Sequence, residues 1–408
     1  MLDAFPAILV LLAIGALGTL VYWSVAIFKI VRTFATVPTL RRGLTLPPPG
    51  PDAPSVCIII PAHNEENVIV QLVASLRAQD YPNLRIVLSL DRCTDATVSR
   101  AREHIGGDPR FEILELSACP EGWAGKVHAV HAGVTRSTYA RDAAMLLFAD
   151  ADTVFHPGCV RAAVALFRER GLDMLSVLST LTHDRWYEFC VQPAAGLELM
   201  RQYPITRANM TEDRRAFANG QFMLFSAEAY RAIGGHEAVK NELLEDLELA
   251  RRMAYANRPS GVFVADGILT CRMYHSWSEF VRGWKRIYTE SAKRKDARLV
   301  KAAWQVRTFG ALFPVMALVL AILTLAGVPG DNASVRIGLG ALSISGLLVF
   351  WSATGMACRM GRTPPLCALL HPFGAWRVAS ILSSAARDLR TGAPTVWGGK
   401  SYVRERRT

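Results

Sequence analysis

The 408-residue sequence has eight cysteines but no Cys-x-x-Cys pair and no spacing that suits a cysteine-ligated metal. Most of them sit among apolar or small residues, as the reduced core thiols of a cytoplasmic domain do. No internal repeat and no low-complexity tract appears. No basic residue precedes the first apolar run, over residues 7–28, and Lys29 and Arg32 follow it. A run of that length with those flanks is a retained anchor, not a cleaved signal peptide.

What is present is an uneven excess of apolar residues. They make up 51% of the chain, and mean hydropathy is +0.20. The excess collects at the two ends. Uncharged runs over 7–28, 308–328 and 337–358 are each long enough to cross a bilayer, which takes about 20 apolar residues. Lys29, Arg32, Arg41 and Arg42 follow the first run without an acid among them. Asp331 and Arg336 alone are charged between the second and third, and Arg359 and Arg362 follow the third. The positive-inside rule puts the N-terminus outside and the large middle domain inside, at the cytoplasmic membrane. A fourth apolar segment, 364–376, is short and cut by Arg377, and reads as interfacial or re-entrant. The net charge of +11 has its basic residues beside apolar segments, which points to anionic lipid headgroups and away from nucleic acid.

Pro47, Pro48, Pro49 and Pro51 mark an extended linker over 41–54. Past it, Val56-Cys57-Ile58-Ile59-Ile60 is a continuous apolar run ended by Pro61, the pattern of a strand buried on both faces. Strands over 84–90, 111–116 and 145–149 alternate with helices over 66–77 and 126–135. That alternation predicts a doubly wound α/β sheet with ligands beyond the strand ends.

Chemistry-bearing residues collect at those ends. Asp150 and Asp152 follow the fourth strand; in an extended chain their side chains point the same way. Paired carboxylates there suit Mg²⁺ or Mn²⁺ shared with a diphosphate, although a lone Asp-x-Asp is equally an ordinary acidic loop. Gly122-Trp123-Ala124-Gly125-Lys126 opens a helix, where amides and a cation can approach a phosphate; a glycine turn with a solvated lysine is the plainer reading. Glu245 and Asp246 open another helix, where acids also complement the dipole. Asn219 and Gln221 can bond sugar hydroxyls or backbone in a turn. Trp277, Phe280, Val281, Trp284, Ile287 and Tyr288 recur at helical steps among basic residues, which predicts an amphipathic interfacial helix over 276–305. The other reading is a helix packed on the soluble domain.

Taken in order, Pro61-Ala62-His63-Asn64-Glu65-Glu66, Leu90-Asp91, Gly122 to Lys126, Asp150-Ala151-Asp152, Ile233-Gly234-Gly235 and Leu244-Glu245-Asp246 resemble the family 2 glycosyltransferases of GT-A fold. The Gly-Trp-x-Gly-Lys form is similar to transferases associated with hopanoid and carotenoid glycosylation. The resemblance implies that Pro61, His63, Glu65 and Asp91 hold the nucleotide of a nucleotide-sugar donor. It makes Asp150 and Asp152 the divalent-metal pair and puts Lys126 and Asp150 at the donor. Asn219, Gly220, Gln221 and Glu245 line the sugar and acceptor site, and Asp246 activates the acceptor hydroxyl. Leu90 replaces the first of two adjacent acids usual at Asp91. The tail over 397–402 resembles that of membrane members of the family.

The expected arrangement is therefore an anchor (1–40), the linker (41–54), a GT-A domain with a mixed sheet and helices on both faces (55–275), the interfacial helix (276–305) and a C-terminal transmembrane hairpin with its tail (306–408). The expected activity is inverting, metal-dependent transfer from a UDP-sugar to a lipid-linked hydroxyl. One metal site and one base on opposite faces imply a single in-line displacement. Two rivals are a processive polysaccharide synthase, whose Gln-x-x-Arg-Trp signature is missing, and a non-catalytic nucleotide-sugar-binding subunit, which needs no such acids.

Overall fold

The computed structural model describes residues 4–48, 50, 52–210, 215–330, 332–397, 400–402 and 406. Pro49, Pro51, Asp331 and the tail residues Gly398 and Gly399 lie outside the described residues.

Strands are numbered in chain order. The main sheet comprises β1 (Val56–Ala62), β2 (Leu84–Asp91), β3 (Phe111–Leu116), β4 (Met145–Ala149), β6 (Met174–Leu178), β8 (Phe222–Ser226) and β9 (Ser260–Val264), in the order β3-β2-β1-β4-β8-β6-β9. β8 is antiparallel to both its neighbours, and every other pairing is parallel. Three short strands, β5 (Thr153–Phe155), β7 (Thr180–Leu181) and β10 (Leu269–Cys271), form a second sheet beside its strand ends.

Every residue of β1 is buried, because alternate side chains enter two cores. Ile58 and Ile60 pack with Leu72 and Leu76 of α2 (Ile69–Arg77), with Ala101 of α3 (Thr97–Ile105) and, further along, with a helix over Cys159–Glu169. Cys57 and Ile59 pack with Val127 and Val130 of α4 (Gly125–Arg136). Two-sided burial explains the unbroken apolar run, since neither face meets water.

The predicted interfacial helix over 276–305 is two helices, Trp277–Ser291 and Asp296–Gln305, separated by left-handed backbone at Lys293 and Arg294. Its aromatic stripe does not face a membrane. Phe280, Trp284 and Tyr288 are 0–3% exposed, in a core shared with Tyr187, Ala195, Leu299 and Leu382. The period of the stripe is the same for either destination. Here protein supplies the apolar surface and the basic side chains occupy the opposite face.

Four helices are long and apolar enough to cross a membrane: Pro6–Thr36, Asp296–Leu325, Ala333–Met360 and Pro365–Thr391. The first three pack as a bundle through small residues, as helices in lipid do. A Cβ at Gly15 would meet Met316 at 2.7 Å, and one at Gly346 would meet the Ala16 carbonyl oxygen at 3.1 Å. The Trp23 indole N–H donates to the Phe309 carbonyl across 2.9 Å.

The fourth segment has different company. His371 stacks edge-on against Trp23 and Phe350, so its helix (His371–Thr391) starts level with the middle of the bundle. It then runs antiparallel to 296–312, with Gly310 against Ala375 and Arg390 paired with Asp296 at 2.6 Å. Its far end meets Lys285 through Asp388, on the side of the α/β domain. Leu366, Leu369, Phe373 and Trp376 remain exposed near its start.

Gly374 fixes this docking, because a Cβ there would clash with the Cys190 carbonyl oxygen. Gly374→Leu should cost about 1–3 kcal/mol, read as a lower thermal midpoint in detergent. Gly338→Leu, where a Cβ meets nothing within 4 Å, is the matched control and should leave the midpoint in place.

Candidate active site

Four sequence segments meet beyond the sheet's edge. The first is the loop after β1, laced to the loop after β2. The Glu65 amide donates to Thr97 Oγ1, the Glu66 amide to Asp95, and the Thr94 amide to the Asn64 side chain. His63 Nδ1 lies 2.6 Å from the Asp91 carbonyl oxygen. These bonds hold Pro61, His63, Glu65 and Asp91 along one wall of a cavity of about 500 Å³. Asp91 is buried, and its carboxylate is taken up bidentately by Arg92, at 2.9 and 2.6 Å.

The second segment is Asp150-Ala151-Asp152, after β4. The chain here turns and is not extended, because the Thr153 amide and hydroxyl both donate to the Asp150 carbonyl. Both residues still line the same cavity as the β1 loop. Burial, then the Asp150 carboxylate, pushes Asp152 up to about 7. Asp152 Oδ1 is buried without a hydrogen-bond partner. Burial, then Asp152 and Asp150, pushes Glu65 up to about 8. Among the described residues no three His, Cys, Asp or Glu side chains are preassembled around a metal position. The donor set nonetheless fits a hard cation: two cavity-facing carboxylates, one of them with a buried oxygen that lacks a hydrogen-bond partner.

The third segment is Asn219-Gly220-Gln221. It precedes β8, whose antiparallel course pairs Phe222 with Ala149 and so sets Gln221 beside Asp150. Asn219 Nδ2 donates to Gln221 Oε1 and to the Val177 carbonyl, so part of its capacity is spent on the turn.

The fourth is the start of the helix Glu245–Tyr255. Asp246 accepts from the Gly220 amide at 2.8 Å and from its neighbour's amide, Leu247, at 2.7 Å. Burial and the adjacent Glu245 carboxylate push Asp246 up to about 6. Glu245, 5% exposed, is held below its ordinary value because the Lys126 ammonium outweighs the effect of burial.

Lys126 joins all of this. Its Nζ sits 2.7 Å from Asp150 Oδ1 and 2.7 Å from Glu245 Oε1. Burial disfavours its charge, but the two carboxylates hold it well above the usual lysine range. Lys126, Asp150 and Gln221 line the first cavity and also a second, of about 260 Å³, that holds Asn219, Gly220, Glu245 and Asp246. All twelve residues that the resemblance assigns to donor, metal, acceptor or base, from Pro61 to Asp246, thus line one or both of these two cavities. Missed were Arg272, Tyr274, His275, Glu279 and Arg282, which close the first cavity from the segment after β10. A signal for them exists in Gly283, the glycine inside an aromatic helix: a Cβ there would clash with the Tyr274 ring.

A mixed sheet with one reversed strand, and with acids gathered past its parallel strand ends, is the GT-A arrangement of a sugar transferase. Residues 53–294 match the family described as "Glycosyltransferase like family 2", and the chain belongs to that family; it is a glycosyltransferase. Among characterised relatives, 4,4'-diaponeurosporenoate glycosyltransferase of Staphylococcus aureus (strain MRSA252) is 27% identical over 277 residues, 66% of this chain and 69% of that one. Among solved structures, the mannosyltransferase PcManGT of Pyrobaculum calidifontis, in complex with GDP-Man and Mn²⁺, is similar at 15% identity and a TM-score of 0.46, covering 91% of this chain and 98% of that one. Glucosyl-3-phosphoglycerate synthase of Mycobacterium tuberculosis, with Mn²⁺, UDP and phosphoglyceric acid, is similar at 17% identity and a TM-score of 0.40, covering 62% and 80%.

Lys126→Met strips the ammonium from between two carboxylates. Lys126 is 28% exposed, so the cost should be about 1–3 kcal/mol, below that of a fully buried pair. Glu245 has a depressed pKa in the fold, so its contribution is present above its ordinary value of 4.5 and lost as pH falls below it. The stability gap between variant and parent should therefore narrow in acid. Denaturant melts at neutral pH and near pH 4 measure it.

Proposed function

We propose that the protein transfers a sugar from a nucleotide sugar, a UDP-sugar by family resemblance, to a lipid-linked hydroxyl at the cytoplasmic membrane face, with inversion. The observation that carries this reading is the placement of Asp246. Its carboxylate stands in one cavity, and that cavity shares the wall of Lys126, Asp150 and Gln221 with the larger one.

The larger cavity takes the donor. The β1 loop and Asp91 receive the nucleoside, which requires the Arg92 guanidinium to yield the carboxylate or to stack beside the base. Asp152 and Asp150 would hold Mg²⁺ or Mn²⁺, which supplies charge neutralisation for a leaving diphosphate. Lys126 lies against Asp150 and places a second positive charge at the diphosphate. From the opposite side Asp246 accepts the acceptor's proton as the hydroxyl oxygen bonds to the anomeric carbon. The anomeric carbon–oxygen bond breaks, and its electron pair leaves with the diphosphate. The Gly220 and Leu247 amides fix the Asp246 carboxylate in place, and a base near pH 6 is ionised at neutral pH without being fully levelled by water. The cytoplasmic placement rests on Lys29, Arg32, Arg359 and Arg362, all at the ends of spanning helices nearest the catalytic domain.

Asp246→Asn should lower transfer by at least a thousandfold while donor affinity stays within about threefold, and the parental rate should fall tenfold per pH unit below about 6. Full activity in the variant overturns the assignment of the base; the assay is transfer from labelled donor in membranes. Removing divalent metal with a chelator should abolish donor binding and transfer, with recovery on adding Mn²⁺ or Mg²⁺. Calorimetric titration of UDP with and without metal checks this.

A further inference from the structure

The smaller cavity carries information about the acceptor that the catalytic acids do not. Its walls are apolar: Leu178, Leu181, Leu199, Met200, Phe217 and Leu247 contribute to them. One end holds Asp246. The other reaches Ala357, Met360 and Gly361, at the inner end of the spanning helix Ala333–Met360. The cavity therefore runs from the base to the end of a helix long and apolar enough to span a membrane.

Its charge is equally informative. Five charged side chains line it: Lys126 and Arg286 against Asp150, Glu245 and Asp246. Both cations are engaged, Lys126 by two carboxylates and Arg286 through the Leu243 carbonyl at 2.7 Å and further contacts. A phosphate entering here would meet a net negative wall in a low-dielectric site, where like charges within a few ångströms repel by about 4 kcal/mol per pair at an effective dielectric of 20. A separate cavity beyond Tyr203, where Arg215, Arg251, Lys293, Arg294 and Arg298 outnumber Glu242, Glu248 and Glu290, suits an anion better.

We propose that the acceptor is an uncharged, membrane-resident long-chain alcohol, its hydroxyl at Asp246 and its apolar body in this cavity against Ala357 and Met360, and that lipid phosphates and carboxylates are excluded. This deepens the reading above and rests on it. Gly196 is the position that sets the bore. It lines the cavity, and a Cβ built on it meets no heavy atom within 4 Å, so a larger side chain there fills open space and leaves the core undisturbed.

The test is photolabelling of the full-length protein in lipid nanodiscs with a diazirine-bearing isoprenoid alcohol, and with the phosphate and carboxylate of the same chain, mapped by peptide mass spectrometry. The alcohol should label residues 178–200 and 357–361 at least tenfold more than either anion, and Gly196→Trp should cut that labelling at least fivefold. Equal or stronger labelling of these peptides by either anion overturns the proposal, as does alcohol labelling that Gly196→Trp leaves unchanged. Labelling reports occupancy without turnover. An active Asp246→Asn enzyme would therefore sink the base assignment alone, and anion labelling would sink the acceptor class alone.

Discussion

The ion triad of Asp150, Lys126 and Glu245 is the constraint around which the site is organised. Seven carboxylates, Glu65, Asp91, Asp150, Asp152, Glu245, Asp246 and Glu279, line two cavities that share the Lys126 ammonium and the Arg286 guanidinium. Carboxylates at that density repel one another unless protonated or neutralised. Burial, with this repulsion added to it, raises the pKa values of Glu65, Asp152 and Asp246, while Lys126 holds that of Glu245 down despite its burial. The lysine can reach both partners because its neighbours leave room: a Cβ on Gly220 would stand 3.2 Å from Lys126 Nζ and 3.4 Å from Asp246 Oδ2. The residual negative charge around Asp150 and Asp152 is what a divalent cation and a protonated or cationic donor contact would offset. The arrangement thus joins Asp150 and Glu245 through Lys126 and leaves Asp152 Oδ1 without a hydrogen-bond partner, open to a cation.

How much of this was readable from sequence follows from where each signal resides. β1 was legible because burial on both faces leaves an unbroken apolar run, which few other environments produce. The acids were legible because each follows a strand or opens a helix, and strand ends are where a doubly wound sheet binds ligands. The turn at Asp150 was not, since it depends on the Thr153 hydroxyl turning back on the preceding carbonyl, a choice an Asp-x-Asp pattern does not encode. Nor was the Asp91–Arg92 pair, because neighbours in sequence rarely meet, and here left-handed backbone at Arg92 accompanies their pairing. The aromatic helix exposes the deeper limit. Phe280, Trp284 and Tyr288 demand an apolar partner, and periodicity cannot say whether that partner is lipid or protein.

The same ambiguity governs the fourth apolar segment. Composition gives Pro365–Thr391 the length to cross a bilayer, and its contacts return it along 296–312 to Lys285 and Asp296. Asp388 near its far end closes on Lys285 at 2.7 Å while Arg390 closes on Asp296, so this helix braces the catalytic domain against the bundle. A second brace lies on the opposite side. Asp266, in the loop after β9, pairs with Arg41 at 3.3 Å and with Arg362 at 2.9 Å, tying the ends of the first and third spanning helices to the sheet.

These braces bear on catalysis because the spanning helices supply part of the cavity wall. Ala357 and Met360 belong to a membrane helix, yet they line the space that ends at Asp246. A base can act only on a hydroxyl held within hydrogen-bond reach, so on the proposed function the register between bundle and sheet sets whether the acceptor hydroxyl arrives at Asp246. Two ion-pair clusters and the close seat of Gly374 on Cys190 fix that register. On the proposed function the membrane segments are therefore more than an anchor: Ala357, Met360 and Gly361 add one end to a cavity whose other walls belong mainly to the sheet domain, with Lys126 at the seam between the two cavities.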